Sequence, residues 1–210
     1  MNTIINWFFS QYQEVPIHLI VLELIGVFFG FLSVWYSKQE NILVYPTGII
    51  STAIFVYILW VYGLLGDMLI NAYYFSMSIY GWYYWTRKDT DSNEVPVTTM
   101  TKKEYSWSLL IFVLTVSAIF VLYKVTDRLN SWTAYADTFT TAIFFVGMWL
   151  MAKKKLENWV FWIIGDLISV PLYLYKGIIF TAFQYFLFTI IAIYGYKAWK
   201  KSLSTNIKTV

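Results

Sequence analysis

The sequence predicts an all-α integral membrane protein with seven transmembrane helices, and three observations support this fold class. Hydrophobic residues make up 59% of the 210-residue chain and charged residues only 13%, whereas soluble domains carry roughly a quarter charged residues. Apolar stretches of about 20 residues, the length that crosses a bilayer core, recur along the chain. The lysines and arginines concentrate in alternate loops, as they do in polytopic membrane proteins.

Each predicted span is an apolar run bounded by a polar or glycine-containing stretch such as "SKQEN", "GLLG" or "KKKLEN". Residues 1–17 lack a basic region and a small-residue cleavage site, so they are predicted to form an interfacial segment and no signal peptide. The long polar connection 86–104 is predicted to be a cytoplasmic loop, and 200–210 a cytoplasmic tail. The predicted spans are 18–36, 42–63, 65–85, 105–124, 135–152, 157–176 and 178–198.

The basic residues predict the orientation, because lysine and arginine are retained on the cytoplasmic side. This places the N-terminus outside and the C-terminus in the cytoplasm. The basic side contains Lys38, Arg87, Lys88, Lys102, Lys103, Lys153, Lys154, Lys155, Lys197, Lys200, Lys201 and Lys208, and the other side only Lys124, Arg128 and Lys176.

Composition argues against several classes of function. The chain has no cysteine and a single histidine, His18, so disulfides, thiolate nucleophiles and cysteine metal sites are excluded, and neither a metal nor a cofactor is predicted. It has no HExxH, P-loop or GxSxG motif, and it is predicted not to be an enzyme. The net charge of +3 is small and its basic residues flank apolar spans, which points to a lipid bilayer and not to nucleic acid as the partner.

An internal repeat relates the first three spans to the last three. "IYGWYYW" at 79–85 and "IYGYKAW" at 193–199 share Ile, Tyr, Gly and the final Trp. At the same offset, Gly63 before span three corresponds to Gly177 before span seven. The dipeptide "EN" stands at the entry to spans two and six, after a shift of three residues.

The repeat predicts parallel triple-helix units, 18–85 and 135–199. Three crossings leave the chain on the opposite side of the membrane, so a second unit in the same orientation needs one more crossing. Span four, 105–124, supplies it and gives a 3+1+3 plan. Parallel repeats are a known transporter plan, with the substrate held between the halves.

Span six has a polar stripe with a carboxylate at its centre. Trp162, Asp166, Ser169 and Tyr173 share one helical face, and Asp166 lies about 14 Å into the span. A mid-membrane charge costs about 2.5–3.5 kcal/mol and usually faces a cavity. Asp166 is therefore a candidate ligand contact, with a buried structural carboxylate as the alternative, while Trp159 is predicted to be an interfacial anchor.

Spans three and seven have comparable faces. Span three has Asn71, Tyr74 and Ser78, and span seven has Gln184 and Tyr185. Aromatic rings can sandwich a heterocycle, and they also attract a cationic ring. Amides can bind an exocyclic amide or hydroxyls. These faces predict a flat, hydrogen-bonding, cationic ligand, although the two amides could instead join helices.

Two further carboxylates, Glu23 and Asp137, fall in the outer part of their spans. They either line an outer entrance or reach the headgroup region.

The chain resembles the PnuC family of vitamin transporters. The resemblance lies in "YYFSMSIYGWYYWTR" and in "KKKLENWVFWIIGDLISVPLYLYKGIIFTAFQYFLFTIIAIYGYKAW", with the "ENWxxW" motif and the "YG" pairs at helix ends. It implies a SWEET-like fold, facilitated diffusion in a bacterial inner membrane, a homotrimer, and trapping of the substrate by a cytoplasmic kinase. By the same resemblance the ligand is surrounded by Asn71, Tyr74, Ser78, Trp162, Asp166, Gln184 and Tyr185.

The resemblance leaves the substrate open. Riboside transporters of the family have asparagine where this chain has Asp166 and Ser78. Uptake of nicotinamide riboside is the leading hypothesis, and a thiamine transporter, a riboflavin transporter and a proton-coupled vitamin symporter are alternatives. A membrane receptor or scaffold without transport is the alternative from another class.

Overall fold

The computed structural model describes residues 15–87, 95–127, 129, 131–177 and 179–208, which form seven helices. Five of these helices, α1, α2, α4, α5 and α6 below, are long and apolar enough to cross a membrane. The predicted all-α class with seven helices is therefore confirmed. The helices are α1 (Ile17–Lys38), α2 (Val44–Val61), α3 (Leu65–Trp85), α4 (Lys102–Val125), α5 (Trp132–Ala152), α6 (Asn158–Tyr175) and α7 (Ile179–Lys208).

Tight turns follow the first two helices of each group of three. Gly63 after α2 and Gly177 after α6 have φ values of 69° and 75°, in the left-handed region that glycine enters without a Cβ clash. Glu40 after α1 and Lys154 after α5 adopt the same conformation without being glycine, with φ values of 56° and 55°. These reversals let successive helices pack side by side.

A capping box starts α4. The Thr101 backbone N–H donates to the Glu104 carboxylate over 2.8 Å, and the Glu104 N–H donates to the Thr101 hydroxyl over 3.3 Å. The same carboxylate lies 3.0 Å from the Lys155 ammonium. The start of α4 is therefore anchored to the turn between α5 and α6.

The helices pack as two groups, the first triplet (α1–α3) and the second triplet (α5–α7). Within each triplet, sequence neighbours pack against one another, and α4 packs on α5. The triplets meet through α3 on α5 and through α1 on α7. A closed ring of six helices results, with α4 outside it.

The outer surface of the helix bundle, including α4, is apolar. More large apolar side chains are exposed there than the surface of a soluble protein carries, as expected for a surface facing acyl chains. Examples from different helices are Leu24, Phe28, Leu109, Leu114 and Phe183.

Two glycines bring helices into close contact at the end of the bundle where α3 ends, next to Thr86. A Cβ atom on Gly81 would lie 2.3 Å from the Tyr45 ring, and one on Gly195 would lie 2.5 Å from the Trp159 ring. Such distances are shorter than any van der Waals contact. Each ring therefore packs directly against a helix that has no side chain at that position.

The predicted spans and the helices agree closely except at the C-terminal end. Helix α7 continues to Lys208 through most of the predicted tail 200–210, where the sequence has no glycine or proline to stop it. Of the predicted interfacial segment, residues 1–14 lie outside the described residues. In the loop 86–104, residues 88–94 lie outside them too.

We expect Gly195→Ala to destabilise the protein, although alanine favours helix more than glycine does. The added Cβ would overlap the Trp159 ring, and overpacking of this kind typically costs about 1–3 kcal/mol. Thermal unfolding of the detergent-purified protein should show a lower midpoint. Ala198→Val, on an exposed position of the same helix, is the matched control and should leave it unchanged. A raised midpoint for Gly195→Ala would contradict the close packing.

Candidate functional site

A cavity of about 460 Å³ lies between the two triplets, within the size range of small-molecule sites. All six helices of the triplets contribute to it, whereas no described residue of α4 does. The first triplet contributes Gly26, Val27, Gly30, Phe31, Ser33, Val34, Ser37, Val44, Gly48, Ser51, Thr52, Phe55, Asn71, Tyr74 and Ser78, and the second Phe144, Met148, Met151, Trp159, Trp162, Asp166, Gln184, Tyr185, Phe188 and Ala192.

The second triplet presents an aromatic wall, formed by Phe144, Trp162 and Tyr185. The Phe144 ring stacks on Trp162 with centroids 5.5 Å apart, and on Tyr185 with centroids 5.9 Å apart and planes 9° apart. Across from it, Tyr74 of α3 approaches Trp162 edge-on at 6.5 Å. These flat faces suit a planar ring.

Gly165 positions this wall. A Cβ atom there would lie 2.3 Å from the Phe144 ring, so only glycine allows α5 and α6 to approach this closely. Phe144 and the residue after Gly165, Asp166, both line the cavity.

Asp166 is buried in the cavity lining, with 3% of its surface exposed. Among the residues that the structure describes, its carboxylate has no hydrogen-bond or ion-pair partner. A buried charge without a partner is costly. A cationic ligand in the cavity would supply the missing counter-charge.

The first triplet presents a hydroxyl wall, formed by Ser33, Ser51, Thr52 and Ser78. Ser33 and Ser51 each donate to a backbone carbonyl over 2.8 Å, and Thr52 does so over 2.7 Å. Their oxygen lone pairs remain able to accept hydrogen bonds from a ligand. This wall is the polar counterpart of the aromatic wall.

Sequence reasoning missed the α2 part of this wall. Gly48, Ser51, Thr52 and Phe55 all line the cavity, and they recur at the spacing of one helical face. That stripe is visible in the sequence. The stripe has no charge or amide, and serine and threonine are common in membrane spans without a role in ligand binding, because their hydroxyls can bond to the backbone.

The structure brings together most of the residues predicted to contact a substrate. Those that line the cavity are Asn71, Tyr74, Ser78, Trp162, Asp166, Gln184 and Tyr185.

The polar stripe of α6 extends beyond the cavity. Ser169 is 1% exposed and does not line it. Tyr173 does not line it either, but stacks on Tyr185 with centroids 5.2 Å apart. Helical period placed both on the face of Asp166 correctly, but a shared face does not determine where along the helix the cavity ends. In this structure Tyr173 supports a wall residue and does not line the wall.

The two outer carboxylates lie outside the cavity lining. Asp137 of α5 forms an ion pair with Lys176, in the turn after α6. Glu23 is half-buried in α1. Neither is placed to contact a ligand within the cavity.

The prediction that Trp159 anchors the protein at the membrane interface is wrong. Trp159 is only 2% exposed, packs edge-on against Trp199 with centroids 5.6 Å apart, and lines the cavity. Its position near the start of α6 resembled that of an anchor. The glycine at 195 instead lets α7 receive the indole inside the bundle.

In the described part of the chain, the cavity lining carries charge of one sign only, which is negative. Among the residues that the structure describes, no lysine, arginine or histidine lines it, and Asp166 is its one ionisable acid. The described residues also contain no group of three histidine or acidic side chains that could hold a metal ion. The arrangement favours an aromatic cation over an anion.

Comparison with known proteins gives a consistent picture. The family described as "Nicotinamide mononucleotide transporter" matches residues 20–201. The chain is 26% identical to the nicotinamide riboside transporter PnuC of Escherichia coli strain K12, covering 92% of this chain and 95% of that protein. It is 24% identical to the riboflavin/roseoflavin transporter RibM of Streptomyces davaonensis, covering 92% of each.

A solved structure shares the fold. The crystal structure of the vitamin B3 transporter PnuC superposes with a TM-score of 0.67 at 20% sequence identity, covering 97% of this chain and 87% of that one. At this identity the likeness concerns the fold alone.

We expect a cysteine at Gln184 to react with a polar methanethiosulfonate reagent, whereas one at Phe186 should not. Gln184 lines the cavity, but Phe186 is exposed on the outer surface, where lipid excludes the reagent and keeps the thiol protonated. The chain has no cysteine of its own, so labelling in nanodiscs reports each position separately. Equal labelling of Gln184→Cys and Phe186→Cys would contradict a water-filled cavity between the triplets.

Proposed function

Because the chain belongs to the nicotinamide mononucleotide transporter family, we propose that it takes up nicotinamide riboside, a vitamin B3 and NAD precursor, by facilitated diffusion. The relatives named as nicotinamide riboside transporters support this substrate. A cytoplasmic kinase then traps the riboside by phosphorylation.

The unpartnered carboxylate of Asp166 is the observation that favours the riboside. Nicotinamide riboside has a positively charged pyridinium ring and no phosphate, so Asp166 can act as its counter-ion. The mononucleotide carries an additional phosphate, which needs donors such as arginine or lysine. No described lining residue is basic, and this favours the riboside over the mononucleotide.

The two walls suggest how the riboside lies in the cavity. We place the pyridinium ring against the aromatic wall, with cation–π contact and the Asp166 charge acting together. Asn71 or Gln184 can bind the carboxamide. The ribose then faces the hydroxyl wall, where Ser51 and Thr52 can accept hydrogen bonds from its hydroxyls.

Two other ligands have specific support. Thiamine is also a cationic heterocycle and suits Asp166 for the same reason. Riboflavin is favoured by the relative named as its transporter, but it is neutral and would leave Asp166 without a counter-charge.

We also propose the 3+1+3 parallel repeat as the architecture, with the SWEET-like arrangement it implies. The contacts between the triplets support it. In the repeat α1 is equivalent to α5 and α3 to α7, so the contact of α3 with α5 should have a counterpart between α7 and α1, and that contact is present. The repeat units are 18–85 and 135–199, with 105–124 as the linker helix.

Side-chain contacts support the same repeat. At the offset that relates Ile79 to Ile193, Tyr45 on Gly81 corresponds to Trp159 on Gly195. The Phe31–Phe188 contact at 5.3 Å likewise corresponds to the Phe145–Tyr74 contact at 6.0 Å. These pairs favour one offset for all three helices, without the shift of three residues that the "EN" dipeptides suggest.

The cellular context is part of the proposal. The resemblance to the PnuC family implies a bacterial inner membrane, and the basic residues favour an orientation with the N-terminus outside and the C-terminus in the cytoplasm. A homotrimer is the assembly that the resemblance to the PnuC family implies. Transport proceeds by rocking of the two triplets about the cavity, without coupling to an ion.

We expect purified protein to bind nicotinamide riboside more tightly than nicotinamide mononucleotide, thiamine or riboflavin. The measurement is a calorimetric titration of the detergent-purified protein with each compound. Tight binding of thiamine without binding of the riboside would move the assignment to vitamin B1, and selective binding of riboflavin would move it to a flavin.

Replacing Asp166 tests the role of its charge. Asp166→Asn preserves the shape of the side chain but removes the charge, and truncating one partner of a buried charge pair typically costs 2–5 kcal/mol. We expect riboside affinity to fall by at least about tenfold in Asp166→Asn and in Asp166→Ala. Asp67→Asn, which removes an exposed carboxylate at the start of α3, is the control and should preserve affinity. Unchanged affinity in Asp166→Asn would return Asp166 to a structural role.

We expect proteoliposomes held at zero membrane potential to take up the cationic riboside only until the inside and outside concentrations are equal. An imposed pH gradient should not change this end point, because facilitated diffusion stores no energy. Radiolabelled riboside uptake with and without the gradient measures it. Accumulation above the outside concentration would favour the proton-coupled symporter, and binding without flux would favour a receptor.

A further inference from the structure

Four aromatic rings pack together at one end of the cavity. Tyr45 contacts Trp85 edge-on at 5.1 Å, Trp85 contacts Trp199 at 5.8 Å, and Trp199 contacts Trp159 edge-on at 5.6 Å. All four side chains are at most 5% exposed. The rings form a continuous buried layer that spans both triplets, and Trp159 is also part of the cavity lining.

Three contacts in this region join a residue to its own repeat equivalent. Trp85 and Trp199 are one such pair. The Ser37 hydroxyl lies 3.2 Å from the Met151 sulfur, and the Glu40 carboxylate lies 3.9 Å from the Lys154 ammonium. If a two-fold axis relates the two triplets, a residue can touch its own repeat equivalent only where both lie at that axis. The axis between the triplets therefore passes through these three contacts.

The Glu40–Lys154 contact links the triplets electrostatically. The turns after α1 and α5 place both residues on the axis through the same left-handed backbone conformation. Lys154 is only 4% exposed, and its ammonium also lies 4.5 Å from the centre of the Trp85 ring. Glu40 accepts a hydrogen bond from Ser202 over 3.3 Å. Lys154 is therefore a buried cation whose charge is compensated by two groups of the first triplet, and leaving such a charge uncompensated is costly.

A segment of the loop between the triplets covers this cluster. Val97 is 1% exposed and packs in the same core as the four rings. Thr98 donates its N–H to the Lys154 carbonyl over 3.2 Å and accepts from the Leu156 N–H over 2.9 Å. The segment is thus bonded to the turn between α5 and α6 and should move with the second triplet.

We propose that Trp85, Trp199, Glu40 and Lys154 form the gate that closes the cavity at the α3/α7 end. This inference rests on the proposed transport function, since only a transporter must open this end. Solute can leave at this end only if the two triplets move apart at the axis. Separation must break the Glu40–Lys154 ion pair and part Trp85 from Trp199, because these contacts join one triplet to the other. Opening then admits water, which repays part of the desolvation of both charges.

A labelling experiment tests the gate without any solute. Met148→Cys places a thiol in the cavity lining, and inside-out vesicles expose the α3/α7 end to a membrane-impermeant methanethiosulfonate reagent. Lys154→Glu places a second carboxylate beside Glu40, so labelling should become at least tenfold faster. Adding Glu40→Lys to the same protein restores opposite charges and should restore slow labelling. Unchanged labelling in Lys154→Glu, or fast labelling in the charge-swapped protein, would overturn the gate.

A cross-linking experiment tests the same gate through transport. Glu40→Cys with Lys154→Cys, joined by a bifunctional methanethiosulfonate, should bind riboside but lose uptake into proteoliposomes, and a reductant should restore uptake. Glu104→Cys with Lys153→Cys is the matched control, because that ion pair of 3.7 Å joins α4 to the turn after α5 and does not cross the axis. Linking the control pair should leave its uptake unchanged. Uptake by the linked Glu40–Lys154 pair at its unlinked rate would overturn the proposal.

The two experiments separate the gate from the transport function. If no variant moves riboside even after reduction, the proposed function fails. The labelling rates are measured without solute, so they still support or overturn the gate in that case.

Discussion

The acyl chains of a bilayer offer neither hydrogen bonds nor counter-charge, and this constraint shapes the whole protein around Asp166. A carboxylate about half-way through a span must face inward, so the helices around it have to enclose a polar space. The two triplets do this by presenting apolar side chains to lipid and a carboxylate, amides and hydroxyls to the cavity. The burial of Asp166 and the cavity therefore depend on each other.

Glycine packing makes the two walls of the cavity different. At Gly165 the Phe144 ring fills the space that a side chain would occupy. In the first triplet the corresponding contact, under the proposed repeat, is between Gly30 and Ser51, where a Cβ atom on Gly30 would lie 3.1 Å from the Ser51 hydroxyl. One wall is therefore built of rings and the other of small polar groups. Two walls of different chemistry can in this way bind a ligand whose two ends differ.

The same packing brings the four aromatic rings together at the end of the cavity proposed as the gate. Tyr45 and Trp159 each lie on a glycine of the neighbouring helix, so the indole of Trp199 and that of Trp85 meet between them. Aromatic contact and a buried ion pair between Glu40 and Lys154 then act over the same small area. Contacts concentrated on an axis are lost together, which is the behaviour expected of a two-state element.

The sequence by itself determined the seven helices, their apolar surfaces and the polar face of α6, because hydrophobic length and helical period are local properties. It also identified Asp166, Trp162 and Gln184 as neighbours of a polar interior. Only the tertiary structure decided that Tyr173 supports the wall from outside, that Trp159 is buried in the core, and that the α2 hydroxyls line the same cavity as Asp166. These placements depend on how closely two helices approach, and that distance is set by contacts between residues far apart in the chain, such as Trp159 on Gly195.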